Sequence, residues 1–296
     1  MKPYTGVPAV IGAVLLALVA CSSAHPPQAT DRHPYQQIAV GPQYDTTHVY
    51  VAPGTVDAFT TSWEATFGGT HTATSVVDVT PTPSQTKSEL ILSPVGTLSV
   101  FDFQTPIPYP FGAERTGWLM KNFDQGVADA RASGADIVVT PFNDPIGRDA
   151  VVQFPGGVNT QIYWHTTAPS YAPLTNLPEN QIYISSDAAS AFLPAYLTFT
   201  SGTIASDVQH ADASEIGLPN QTYRRVRISS PFGDTVVLIT GGHLPYPFGR
   251  EITGYTVADL DVTLSKAKAA GATTPRCWRS AGPGRRYESE RRSDDG

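Results

Sequence analysis

At 296 residues, with 41% hydrophobic and only 15% charged side chains, the chain is long enough for about two domains and apolar enough for a sizeable core. A formal net charge of −7 offers no basic face for nucleic acid. The two cysteines, Cys21 and Cys277, are too few for a zinc-type cluster or a disulfide framework.

At the N-terminus Lys2 precedes an apolar run over 7–19, shorter than the ~20 residues a bilayer span needs and proportioned like a signal-peptide core. The run ends in Leu18-Val19-Ala20-Cys21-Ser22-Ser23, which resembles the bacterial lipobox, where the cysteine becomes the lipidated first residue of the mature chain. On this reading 1–21 is a lipoprotein signal peptide, Cys21 is a membrane anchor, and 22–40 is a polar, flexible tether on the extracytoplasmic face of the cell envelope. The other reading is a start codon assigned too early, with a cytoplasmic protein beginning near Tyr44.

Self-similarity organises the rest. Thr47-His48-Val49-Tyr50-Val51 matches Asn180-Gln181-Ile182-Tyr183-Ile184, and Phe59, Trp63 and Gly69 match Phe192, Tyr196 and Gly202, at one constant offset. Pro108-Tyr109-Pro110-Phe111-Gly112 then recurs identically from Pro245 to Gly249, at an offset four residues longer, so the second copy carries four extra residues in an intervening loop. Each copy also splits in half. Residues 47–52 alternate as a strand, 55–67 carry a helical stripe (Val56, Phe59, Trp63, Phe67), and Gly68-Gly69 stops it. Strands are expected at 73–80, 88–93 and 97–104. A second half restarts with a strand at 116–122, a helix opened by Asp124 and closed by Ser133-Gly134, and strands near 136–140, 149–154 and 158–164. The order is β-α-β-β-β twice per copy. One such half leaves a sheet face open, so two halves pair into a cup.

Paired βαβββ halves, the Ala132-Ser133-Gly134-Ala135 helix end and Phe154-Pro155-Gly156-Gly157 before a last strand resemble the glyoxalase / bleomycin-resistance / extradiol dioxygenase (vicinal-oxygen-chelate) superfamily. The resemblance implies an α+β fold of tandem modules, with a first glyoxalase-like domain at 41–166, a linker at 167–178, and a second, truncated domain at 179–274. It also implies a cup holding one divalent metal, Fe, Mn, Zn or Ni, on the first and last strands of its halves.

Alternation decides which side chains enter the cup. Val49 and Val51 face the helix, so His48 and Tyr50 point inward; Asn159, Gln161, Tyr163 and His165 share one face of the last strand. Carried over from the resemblance, His48 is the first metal ligand and Gln161 takes the place of the final carboxylate. Asp102 or Gln104 closes the first half, and Thr116 opens the second. Tyr50, Tyr163, Asn159 and His165 are the candidate substrate-binding residues. One imidazole, one carboxylate and neutral donors make a poor set for a divalent ion, so the metal is either bound or absent. The second copy has Gln181 for His48, with His243 at its rim. Asp144, Arg148 and Asp149 either contact an anionic ligand or cap a hairpin. The repeated Pro-Tyr-Pro-Phe-Gly loop is either a gate or a plain crossover.

Beyond Thr274 the pattern breaks. Residues 275–296 form a basic tail with six arginines where three more strands are expected, either the product of a frameshift or sequencing error or a genuine basic tail. Three functions follow: a metal-dependent lyase, isomerase or dioxygenase; a non-catalytic protein that binds or sequesters a small molecule; or an envelope protein serving protein contacts. Two copies in one chain suggest a monomer whose partners are a small molecule and, through Cys21, the membrane.

Overall fold

The computed structural model describes residues 38–273 except Glu114, His243, 245–248 and Arg250. The signal peptide with Cys21, most of the tether, the rim histidine His243 and the tail 275–296 therefore lie outside the described residues. Among those described, no helix is long and apolar enough to cross a membrane.

The first copy runs β1 (Thr46–Tyr50), α1 (Val56–Phe67), β2 (Thr70–His71), β3 (Ser75–Val77), β4 (Thr86–Ser93) and β5 (Gly96–Phe103). Its second half follows as β6 (Arg115–Leu119), α2 (Phe123–Ser133), β7 (Asp136–Asn143), β8 (Gly147–Phe154) and β9 (Val158–His165). The second copy gives β10 (Glu179–Ser185), α3 (Ala189–Thr200), β11 (Thr203–Asp212), β12 (Thr222–Ser230), β13 (Gly233–Thr240), β14 (Ile252–Gly254) and α4 (Leu260–Ala269).

Local chemistry accounts for the helix ends. α1 stops where Gly68 takes φ 76°, a left-handed value costly for other residues. α2 is capped by Asn122, whose side chain accepts from the Gln125 N–H at 3.1 Å; Asp124 lies inside the first turn and does not open the helix.

The strands of the first copy form one curled sheet in the order β2-β4-β5-β1-β6-β9-β8-β7, with β3 also on β4. β1 and β6 meet antiparallel at its centre, Thr46 opposite Gly117 and His48 opposite Arg115. Each half closes by a parallel pair, β1 on β5 and β6 on β9. The second sheet, β11-β12-β13-β10-β14, repeats the first half and begins the second. Among the described residues no strand lies beyond β14.

The two copies share a core. Trp118 of β6, 2% exposed, stacks on Phe232 at 4.6 Å and on Phe199 at 5.9 Å, and Tyr196 meets it edge-on. Phe154 of β8 sits edge-on to Phe192, Tyr196 and Phe199. Helix α3 of the second copy thus covers the outer face of the first copy's second half, next to α2. Below this stack Asp45 turns inward. Its Oδ1 accepts from the Leu119 N–H at 3.0 Å, and its Oδ2 is shielded from solvent with no hydrogen-bond partner among the described residues. Burial pushes its pKa well up, and the Leu119 N–H only partly opposes that.

Two outcomes follow. Trp118→Ala should destabilise the chain by about 3–5 kcal/mol in urea unfolding, because the stack joins both copies and cannot collapse around the cavity. Asp45 binds its proton more tightly folded than unfolded. The stability it contributes is therefore complete below the unfolded carboxyl's pKa and is lost as pH rises through the raised folded value. Asp45→Asn should accordingly be more stable than the parent near neutral pH, with the gap narrowing toward about pH 4. A gap independent of pH in thermal melts would refute this.

Candidate functional site

The concave face of the first copy's sheet encloses a cavity of about 370 Å³. β1 and β5 supply one side with Thr46, His48, Tyr50, Ser99 and Phe101, and β9 supplies the other with Gln161, Tyr163 and His165. The turn between β7 and β8 forms a lip with Asp144, Pro145 and Ile146, and the cavity reaches Asp149 behind it.

His48 stands at the centre of the seam. It is 4% exposed, edge-on to Phe101 at 5.5 Å and tilted against Tyr163 at 6.4 Å. Its Nε2 lies over Gly117, where an added Cβ would sit 2.7 Å from that nitrogen. Only glycine leaves room for the imidazole here. Gly117 is therefore the cup-facing residue of β6 next to the histidine. Thr116 points to the opposite face, where its N–H and hydroxyl both donate to Glu251 Oε1 at 2.7 Å.

Asp102 is also off the cup. Along β5, Ser99 and Phe101 face the cavity, so Asp102 shares the opposite face with Leu98 and Val100. Its carboxylate is fully buried, accepting from the Gly54 N–H at 2.8 Å and from the Gln104 amide at 2.7 Å. It pins the loop leading into α1, and the expectation that Asp102 or Gln104 completes a metal set is corrected. Asn159 has the right face but the wrong end of its strand: it pairs with Gln153 at 2.9 Å and does not line the cavity. His48, Gln161, Tyr50, Tyr163 and His165 are brought together around one space.

Tyr163 donates its hydroxyl to the Tyr44 carbonyl at 2.6 Å, and burial, reinforced by Asp45, pushes its pKa well up. Burial lowers His165, partly opposed by the charge of Asp144. Phe111, from the first Pro-Tyr-Pro-Phe-Gly loop, is buried beside Val139 and Val151 and lines the cavity, while Tyr109 projects into solvent. That loop is a crossover that also walls the cup.

Asp149 is what a loop reading of 144–149 misses. It lies inside β8, opposite Tyr163 and 5% exposed, whereas Arg148 turns outward to Asp124 at 2.9 Å and over the Phe123 ring. Burial pushes the Asp149 carboxyl well up, Asp144 adds to this, and Gln161 opposes it by hydrogen bonding. The signal was present in the alternation: Ala150, Val152 and Phe154 all enter the core, which sends Asp149 and Val151 to the cup.

The second copy's corresponding face is filled. The extra loop residues form a 3-10 turn, Ala213–Ile216, which packs with Tyr223, Val236 and Leu238 into an apolar cluster. Val236 and Leu238 stand where the first copy has Ser99 and Phe101. Arg225 is held by Glu215, and Arg227 by Glu179.

A divalent metal does not fit the first cup. Its facing positions next to the seam are His48, Ser99, Gly117 and Gln161, one imidazole with neutral donors. Among the described residues no three His, Cys, Asp or Glu side chains gather closely enough to hold an ion.

No protein-family description matches the sequence, and no curated protein matches it either. In structure the chain aligns with a mutant of 4-hydroxymandelate synthase from Streptomyces coelicolor at TM-score 0.53 and 12% identity, over 81% of this chain and 78% of that one. Weaker alignments include a halotolerant catechol dioxygenase (TM-score 0.42, 8% identity, 80% and 77% covered) and a glyoxalase I mutant from Zea mays (0.41, 12%, 69% and 70%). With its βαβββ halves paired across β1 and β6, the chain has the fold of the vicinal-oxygen-chelate superfamily.

Proposed function

We propose that the first copy's cup binds a compact, planar, aromatic molecule with an oxygen-bearing polar end, and that it does so without a resident divalent metal. The observation that carries this is the make-up of the cavity: rings of Tyr50, Phe101, Phe111 and Tyr163 on its walls, with Gln161, Asp149 and His165 gathered on one side. Its volume of about 370 Å³ suits a small ligand. A flat ring gains contact area and about 0.5–1.5 kcal/mol per well-placed aromatic pair, and the clustered polar groups fix which end enters first.

The chemistry that a metal-dependent lyase, isomerase or dioxygenase would need is not supported by this donor set. With Asp102 committed to the α1 loop, His48 is the one imidazole or carboxylate among the described residues at the seam itself, and Asp149 and His165 lie off it on the β8–β9 side. The filled face of the second copy leaves the first as the ligand-binding half, with the second as its support. The lipid anchor expected at Cys21 adds the envelope to the proposal; incorporation of labelled palmitate that Cys21→Ser abolishes is the result expected for it.

Thermal-shift screening of small aromatic compounds tests the binding reading. A ligand present at a hundred times its Kd should stabilise the fold by about 2.7 kcal/mol. Tyr50→Ala should weaken that ligand about tenfold while the protein stays folded. Added Mn, Fe, Zn or Ni should leave the melting temperature unchanged. Strong stabilisation by one of these ions, lost in His48→Ala, would sink the metal-free reading.

A further inference from the structure

We infer that Asp149 sets the specificity of this cavity by entering it as a neutral acid and donating its carboxyl hydrogen to a carbonyl or carboxamide oxygen of the ligand. The inference rests on the reading of the cup as an aromatic binding site and names the polar end that such a site selects.

Placement carries the argument. Asp149 lies within the β8–β9 ladder, one face with Val151 and directly beside Tyr163, so its side chain is fixed by sheet register and not by a mobile loop. It lines the cavity and is 5% exposed. A carboxylate this deep is costly unless donors surround it. Arg148, the cation next in sequence, is committed outside the sheet to Asp124 and Phe123. Gln161, diagonal on β9, supplies hydrogen bonding to the Asp149 carboxyl.

The Gln161 bond favours the ionised form, but burial and the charged neighbour push the other way and outweigh it. Asp144 brings a second carboxyl onto the same side of the cavity, from a turn whose Ile146 N–H donates to it at 3.1 Å. Two acids so placed do not ionise together cheaply. Tyr163 faces Asp149 as a neutral phenol engaged with Tyr44, and His165 is held toward its neutral form by burial. β7 offers Phe142 opposite Asp149. Farther off, across the seam, stand His48 and the β6 register position of Arg115.

A neutral acid with one oxygen occupied by an amide is a directed donor. It complements a lone pair on a neutral carbonyl. An anionic ligand can accept the same hydrogen, but it meets the carboxyl of Asp144 on that side of the cavity with no cation facing it from Arg148. A cationic ligand would first have to strip the proton. The class selected is therefore an uncharged aromatic ketone, aldehyde or carboxamide.

Four probes of similar size test this on the full chain by calorimetry at mildly acidic pH: benzamide, acetophenone, benzoate and benzylamine. The two neutral carbonyl compounds should bind tightest. Asp149→Asn keeps a donor and should bind benzamide within about threefold of the parent, whereas Asp149→Ala should lose tenfold or more. Affinity of the parent should fall as pH rises, and that of Asp149→Asn should stay flat; circular dichroism checks that each variant is folded. Tighter binding of benzoate or benzylamine overturns the inference. So does benzamide binding that Tyr50→Ala abolishes but Asp149→Ala leaves intact, in which case the cup reading survives. If none of the four binds the parent, the cup reading falls and this inference falls with it.

Discussion

The molecule depends on one short strand being buried on both faces. β6 has five residues, and strand geometry sends alternate side chains to opposite sides. Trp118 goes into the stack with Phe199, Phe232 and Tyr196 of the second copy. Thr116, on the same side, ties to Glu251. Gly117 faces the other way and carries nothing, which is why the His48 ring can lie across the seam. A one-residue slip of this strand would drive the indole into the cup and the glycine into the core. Register at β6 therefore fixes the core between the copies and the floor of the cavity together.

The same constraint explains the loss of symmetry between copies. Both begin with the same strand, helix and loop, but the second spends its extra loop residues on a turn that covers its own concave face. Ile216, Tyr223, Val236 and Leu238 then behave as core. In the first copy the equivalent connection is held by its own polar side chains, Ser84 donating to Asp78 at 2.7 Å and Thr80 to the Thr82 carbonyl at 2.7 Å, and the face stays open. A four-residue difference in loop length and apolar residues at Val236 and Leu238 separate the filled face from the open one.

Much of this was legible in the chain itself. The repeat, the helix ends at Gly68 and Gly134 and the β-α-β-β-β order come from local chemistry and period, where each residue's role depends on near neighbours; the α+β class of paired modules comes with the resemblance. Alternation points His48 and Tyr50 inward and puts Gln161, Tyr163 and His165 on one face with Asn159; the resemblance, through Gln161, says that this face is the inner one. The misses have different causes. Asp102 and Thr116 are placed by family position, where an error of one residue flips a side chain to the other face; Asn159 is placed by alternation, which gives its face but not how far along the strand the cavity reaches. Asp149 is masked differently: alternation from Ala150, Val152 and Phe154 sends it to the cup, but Asp144-Pro145 reads as a turn that runs up to it. The pairing of β8 with β9 that sets it opposite Tyr163 is what a single sequence does not carry.

The polar groups between the copies give the second one a mechanical part in the site. Thr47, on the back of the strand that carries His48, donates to Thr253 at 3.2 Å and accepts from the Tyr255 hydroxyl at 3.2 Å. Thr253 continues the chain to Asn180 at 3.4 Å. Together with Glu251 on Thr116, these bonds grip β1 and β6 from behind at the residues adjacent to His48 and Gly117. Each is worth only about 0.5–1.5 kcal/mol in stability. They also act as a shared backing that limits the freedom of β1 and β6 to slide or splay against each other. A cup of one copy alone would have to supply that rigidity from its own thin sheet. Here the second copy, its own concave face filled, lies behind that sheet and supplies the backing.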